Sequence, residues 1–94
     1  MVASGDRSEY NIGMWYAYVL KSRINLRLYT GSTNDLSRRL SEHNSGKSKY
    51  TRSTRPFDLI YSEEFTSRLE ARRRERFLKT GKGREFLKEK IKQM

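Results

Sequence analysis

The stretch Trp15-Tyr16-Ala17-Tyr18-Val19-Leu20 decides how the rest of the chain is read. Six consecutive aromatic, β-branched or apolar residues describe a strand, and their near-continuous apolar character describes a buried one. Polar residues follow as far as Asn25. Leu26-Arg27-Leu28-Tyr29-Thr30 then gives a second short strand, and the two form an antiparallel hairpin. Gly31 is expected to break the chain. Ser32-Thr33-Asn34-Asp35 supplies cap-type side chains for a helix running to about Asn44, where Asn44-Ser45-Gly46 stops it.

Further along, residues 45 to 55 are rich in Ser, Lys, Thr and Arg and read as a basic loop. Pro56 opens a third strand, Phe57 to Phe65, with Phe57, Leu59 and Tyr61 expected on one face. Ser67-Arg68-Leu69-Glu70 has capping-box spacing, so a second helix starts there and continues to about Lys79. Thr80-Gly81-Lys82-Gly83 is expected to interrupt it, leaving a last helix from Arg84 to Lys92. The order β-β-α-β-α-α implies an α+β fold, a three-stranded antiparallel sheet flanked by helices. Met1 to Gly13 shows almost no apolar periodicity and reads as a flexible lead, with Met14 a possible natural start and 14–94 one domain.

Composition narrows the function classes. Ninety-four residues allow one domain, and with only 34% hydrophobic residues, aromatics at 12% must supply much of the core. The absence of cysteine excludes disulfides and thiolate metal sites and fits the cytoplasm. No apolar run approaches the length of a bilayer span, and neither a membrane partner nor a small-molecule cofactor is expected. Lys and Arg number 21 against 11 Asp and Glu, a net charge of +10. From Arg68 to Lys92 there are 11 basic and 4 acidic residues, so the charge is concentrated on the C-terminal helices. Such a field attracts nucleic acid through its phosphates.

Three groups of residues could carry chemistry. Leu36 and Leu40 mark the buried side of the first helix, and Arg39 and His43, also four residues apart, share the edge of that stripe. An Arg and the chain's single His so placed could hold and protonate a phosphate. Taken alone, this helix is better read as carrying an exposed Arg and a dipole-stabilised helix-terminal His. Tyr16 and Tyr18 project from one face of the first strand, and Tyr29 stands at the end of the second. They could meet across the hairpin, or be ordinary strand aromatics. Finally, Ala71, Glu75 and Leu78 share a side of the second helix, amid Arg72, Arg73, Arg74 and Arg76. A carboxylate there could hold a hard cation, or simply pair within the helix with Arg72 or Lys79.

Together, Tyr16-Ala17-Tyr18, Tyr29-Thr30-Gly31, Arg39 and His43 resemble the signature of the GIY-YIG endonucleases. The motifs are degenerate, with Tyr16 for the first Gly and Thr30 for the middle Ile. The likeness continues through Asn44-Ser45-Gly46-Lys47, Pro56-Phe57-Asp58-Leu59-Ile60-Tyr61 and Glu70-Ala71-Arg72-Arg73-Arg74-Glu75, covering Met14 to Lys88. It looks closest to short stand-alone bacterial members, similar to the nuclease domain of the excision-repair endonuclease, which suggests DNA repair.

The resemblance implies a metal-dependent phosphodiester hydrolase in which water attacks phosphorus in line, with DNA favoured over RNA. Glu75 would be the single ligand of Mg²⁺, with Mn²⁺ tolerated, since Mg²⁺ often needs only one or two protein carboxylates. Tyr18 and Tyr29 would be the catalytic tyrosines, either of them the base, with Arg39 stabilising the phosphate and His43 relaying a proton. A free phenol, with a pKa of about 10, needs nearby positive charge to serve as base. Lys47, Tyr50 and Arg52 in the loop, and Arg72 and Arg73 on the helix, would contact nucleic acid. Where some members carry an Asn after the second helix, this chain has Lys79 and Thr80. Substrate choice then falls to the basic helices or to a recruiting protein, and a monomer is expected. The alternatives are a non-catalytic nucleic-acid-binding module that kept the fold, and a basic adaptor needing only the helical charge.

Overall fold

Strand β1 (Trp15–Ser22) is the middle strand of a three-stranded antiparallel sheet, between β2 (Leu28–Thr33) and β3 (Phe57–Phe65). A computed structural model describes residues 14–93, and the expected flexible lead, 1–13, lies outside the described residues. Three helices complete the α+β fold: α1 (Leu36–Ser45) between β2 and β3, then α2 (Arg68–Leu78) and α3 (Gly81–Lys92). The order is the β-β-α-β-α-α of the sequence.

The apolar run of β1 has a direct physical cause: both faces of the strand are covered. Ala17 and Val19 pack with Leu78 and Leu87 on the α2–α3 side. Tyr18 and Leu20 pack with Phe57 on the other side, against Leu36 and Leu40 of α1. Residues Ala17 to Leu20 are consequently all buried.

Four local expectations are corrected. Gly31 does not break the chain; β2 continues through it to Thr33, with Gly31 opposite Tyr18. A Cβ at Gly31 would lie 2.5 Å from the Tyr18 hydroxyl, so glycine serves close approach here rather than a turn. The second strand starts at Leu28, not Leu26, because the turn is longer. Ser22 Oγ accepts from the backbone N–H groups of Ile24 and Asn25, and Leu26 adopts a left-handed conformation at φ 62°.

Phe57, Leu59 and Tyr61 do not share a face. The β1–β3 register slips between Val19 and Leu20, so that Val19 opposes Tyr61 while Leu20 opposes Leu59. This bulge inserts Ile60 and re-aims the strand. Phe57 joins the α1 side, whereas Ile60, Tyr61 and Phe65 join the α2–α3 side. There Glu63 accepts from the Tyr61 hydroxyl and takes a two-pronged bond from Arg74, whose guanidinium lies 4.7 Å from the Phe77 ring centroid. Burial first, and Glu63 second, push the Tyr61 phenol up to about 12.

The last helix begins at Gly81, three residues before the expected start. Thr80 caps it, accepting from Gly83 N–H and donating to Phe77 O. Gly83 is buried against the end of α2, where a Cβ would collide with the Phe77 carbonyl and Leu78. Elsewhere capping follows the sequence: Asp35 accepts from Arg38 N–H, Gly46 ends α1 at φ 88°, and Ser67 accepts from Glu70 N–H.

Leu78 is fully buried in a small core, so Leu78→Ala should cost about 2–5 kcal/mol in urea denaturation. Leu26→Gly should instead hold or raise stability, by up to about 1 kcal/mol, because it relieves a left-handed conformation in an exposed residue.

Candidate active site

The close approach at Gly31 brings β2 beneath the ring of Tyr18, and α1 covers the same face. His43 is completely buried there. Its Nδ1 lies 2.7 Å from Thr51 Oγ1 and its Nε2 3.3 Å from the Tyr18 hydroxyl. Arg39, one turn earlier, donates from Nε to the same hydroxyl at 3.3 Å and from Nη1 to Glu42 at 2.9 Å. Tyr29 meets the His43 ring edge-on, with centroids 4.8 Å apart, and Phe57 closes the box at 6.0 Å. The helix-dipole alternative for His43 is thus set aside, since the ring faces inward rather than solvent.

Asn44 explains why the end of α1 is held so firmly. Its side chain donates to Phe57 O at 3.1 Å and accepts from Phe57 N–H at 2.7 Å, satisfying one whole peptide edge of β3. The neighbouring His43 is therefore fixed between helix and sheet. Thr51 is brought to it by the turn before the short 3-10 segment Arg52–Thr54.

Electrostatics fix the resting protonation. Burial is the largest influence on Tyr18 and raises its pKa; Arg39 works against this, while Tyr29 and Glu75 add to it. The phenol is therefore protonated at neutral pH. Arg39 can only donate, so the single acceptor left for the Tyr18 proton is His43 Nε2. That assigns the neutral tautomer with Nδ1–H donating to Thr51. Burial, then the Arg39 charge, lowers the His43 pKa and agrees with a neutral ring. Burial opposes the charge on Arg39, but its bonds to Tyr18 and Glu42 outweigh that, and its pKa is raised.

Glu75 approaches from the other side of the sheet. It projects from α2 toward β2, where its Oε1 accepts from Ser32 Oγ at 2.8 Å. Its Oε2 accepts from Lys79 Nζ at 2.8 Å, so the intrahelical partner weighed in the sequence is present. Ser32 and Gly31 are adjacent in one edge strand, and alternation sends one toward Glu75 and leaves the other beneath Tyr18.

The remaining candidates lie apart from this cluster. Lys47, Tyr50 and Arg52 are exposed in the segment between α1 and β3, Tyr50 at 89%. Arg72 and Arg73 are exposed on α2, while Arg74 of the same run is a structural residue bound to Glu63. Sequence reasoning missed Ser32 and Thr51. Extending strand alternation through Gly31 would have found Ser32; nothing local marks Thr51.

Comparison with known proteins now gives this arrangement its family. The model of the GIY-YIG catalytic domain matches residues 14–90. The chain belongs to the GIY-YIG family. It is similar to the UPF0213 protein SH2523 of Staphylococcus haemolyticus, 45% identical over 78% of this chain and 89% of that protein. It is also similar to the UPF0213 protein SAG0778 of Streptococcus agalactiae, 51% identical over 68% of this chain and 73% of the other. The solution NMR structure of the UPF0213 protein BH0048 from Bacillus halodurans is 39% identical, covering 79% of this chain and 81% of that one, with a TM-score of 0.48. Membership makes this a nuclease-type domain, and no helix among the described residues is long and apolar enough to cross a membrane.

A buried, neutral His43 sets a pH dependence. Its folded pKa lies below the ordinary value, so its stabilising contribution is complete above about pH 6.5 and is lost as pH falls toward the folded pKa. Chemical denaturation between pH 7.5 and 5 should show wild-type stability falling, and His43→Gln should flatten that acid limb at some cost in stability at neutral pH.

Proposed function

We propose that this GIY-YIG domain is a metal-dependent endonuclease, acting on DNA in preference to RNA. One observation carries the reading: Tyr18, Tyr29, Arg39 and His43 converge on one side of β2, and Glu75 reaches the same strand from the other. They come from four elements, and packing alone does not call for a phenol, a guanidinium and a carboxylate at one strand.

The chemistry follows from what each group can do. Water attacks phosphorus in line; a new P–O bond forms, the bond to the leaving oxygen breaks, the water's proton passes to a tyrosine in its phenolate form, and the leaving oxygen takes a proton from solvent. Tyr29 is the better candidate for this base. It is only half-buried, whereas Tyr18 is 2% exposed with its hydroxyl already engaged by Arg39 and His43. Tyr18 then acts as a positioning residue for Arg39. Among the described residues no hydrogen bond engages Arg39 Nη2, which is available to a phosphate oxygen and to the charge that grows there.

The donors around Glu75 suit a hard divalent cation. They are carboxylate and hydroxyl oxygens, and both nitrogens of His43 are already occupied. No cluster of three or more His, Cys, Asp or Glu side chains exists among the described residues. A lone carboxylate fits Mg²⁺, which keeps most of its waters. When bound, Mg²⁺ or Mn²⁺ supplies Lewis-acid stabilisation of the leaving oxygen. Lys79 must release Glu75 Oε2 for that, and Ser32 keeps the carboxylate oriented meanwhile.

Lys47, Tyr50, Arg52, Arg72 and Arg73 form the outer contacts to nucleic acid, all exposed and all but one cationic. The Glu75–Lys79 ion pair is the one feature that favours the second reading, a binding module without catalysis, because it neutralises the carboxylate internally.

Nicking of supercoiled plasmid with Mg²⁺ or Mn²⁺ and with chelator tests the reading. Cleavage should require metal and disappear in Glu75→Ala. It should fall by roughly 10²–10³ in Arg39→Ala and by roughly 10²–10⁴ in Tyr29→Phe. Wild-type protein that binds DNA but does not cut it with either metal would establish the binding module instead.

A further inference from the structure

On the α2–α3 side of the sheet a groove of about 940 Å³ runs between the start of β2 and α3. Its walls carry four cations, Arg27, Lys79, Arg84 and Lys88, against one acid, Glu85. Thr30 lies at one end, two residues before Ser32, and Lys79, whose ammonium holds Glu75, lines the same groove. The groove therefore reaches the Glu75 side of the candidate active site through Lys79, and Tyr29 also lines it. At its other end Leu26 and Leu28 are 64% and 44% exposed, and Leu26 has a left-handed backbone. A leucine kept in that conformation gains nothing for the core, where it makes no contribution.

We infer that this groove binds a single, unpaired strand of nucleic acid leading into the active site, with Arg27, Arg84 and Lys88 on its phosphates and Leu26 and Leu28 against a base. The inference rests on the nuclease reading and names its substrate class: nucleic acid with a single-stranded arm. Charge complementarity favours a polyanion over a protein. The exposed leucines favour an unpaired strand over a duplex, whose base faces are stacked on one another and do not reach an apolar wall. Cationic walls beside an apolar surface are the general recipe for holding single strands without sequence preference.

Fluorescence anisotropy tests this with a labelled oligothymidylate and a blunt duplex, both in EDTA so that no cutting intervenes. Arg84→Glu/Lys88→Glu should weaken single-strand binding by roughly tenfold or more and lower the salt slope by about two. Lys82→Glu/Lys90→Glu makes the same charge change on the side of α3 away from the groove, and should change binding by less than roughly threefold. Leu26→Gly should weaken binding of the single strand and leave the duplex unaffected, with circular dichroism and thermal unfolding confirming that each variant folds. Equal losses from the two charge pairs would overturn the inference in favour of diffuse attraction. Groove variants that bind as wild type would also overturn it and leave the groove to a protein partner. Cleavage of a flapped duplex with Mg²⁺ is scored separately. A wild-type protein that never cuts defeats the nuclease reading, whereas flap cutting that survives the groove reversal defeats this one.

Discussion

The burial of β1 on both faces is the constraint on which the other features depend. A strand covered on one face only can devote its inward residues to packing and its outward ones to solubility. Here neither set is free. Ala17 and Val19 hold α2 and α3 to the sheet, while Tyr18 and Leu20 receive α1. Because alternation assigns successive residues to opposite faces, one strand joins the larger core to the candidate site. A change of register by one residue would exchange the two sets and put a phenol in the aliphatic core.

Burying Tyr18 has a consequence for its chemistry. Its hydroxyl cannot go without partners in a dry site, and two groups meet that need: Arg39 donates and His43 accepts, while Thr51 holds the far side of the imidazole. Gly31 makes the arrangement possible by leaving room for the ring over the edge strand. The cluster thus owes its geometry to packing and hydrogen-bond satisfaction, which fix the groups before any substrate arrives. Preorganisation of that kind costs no rearrangement at the moment of reaction.

The charge of the chain is divided between structure and ligand. Arg74 is committed to Glu63 and to the faces of Phe77 and Phe86, and Arg39 is partly committed to Glu42. Arg23 pairs with Asp58, tying the first turn to β3 at the surface, where such pairs contribute little stability. The exposed cations on α2 and α3 carry no such structural commitment and leave these helices with an excess of positive charge at the surface. Lys79 stands between the two groups, neutralising Glu75 while lining the groove that leads to it.

Sequence alone determined the element order, the buried first strand and most of the capping residues, while the candidate site residues came from likeness to a family. Those properties are local: apolar runs, cap side chains and helical spacing act within a few residues of chain. Tertiary structure decided the rest. Gly31 reads as a breaker because glycine usually interrupts elements, and only the ring of Tyr18 across the sheet reveals it as a strand residue. Gly81 and Gly83 look like an interruption for the same reason, yet Thr80 caps them into α3 and Gly83 admits the end of α2. Phe57 and Tyr61 appear to share a face by parity, and the bulge at Ile60 separates them, because pairing to β1 rather than local preference sets register. Ser32 and Thr51 enter the site through hydrogen bonds spanning 43 and 8 residues; strand alternation marks the face of Ser32 but not its partner, and nothing local marks Thr51. Hydrogen-bond satisfaction in a buried site is a property of the assembled fold, and so it becomes legible only once the strands and helices have met.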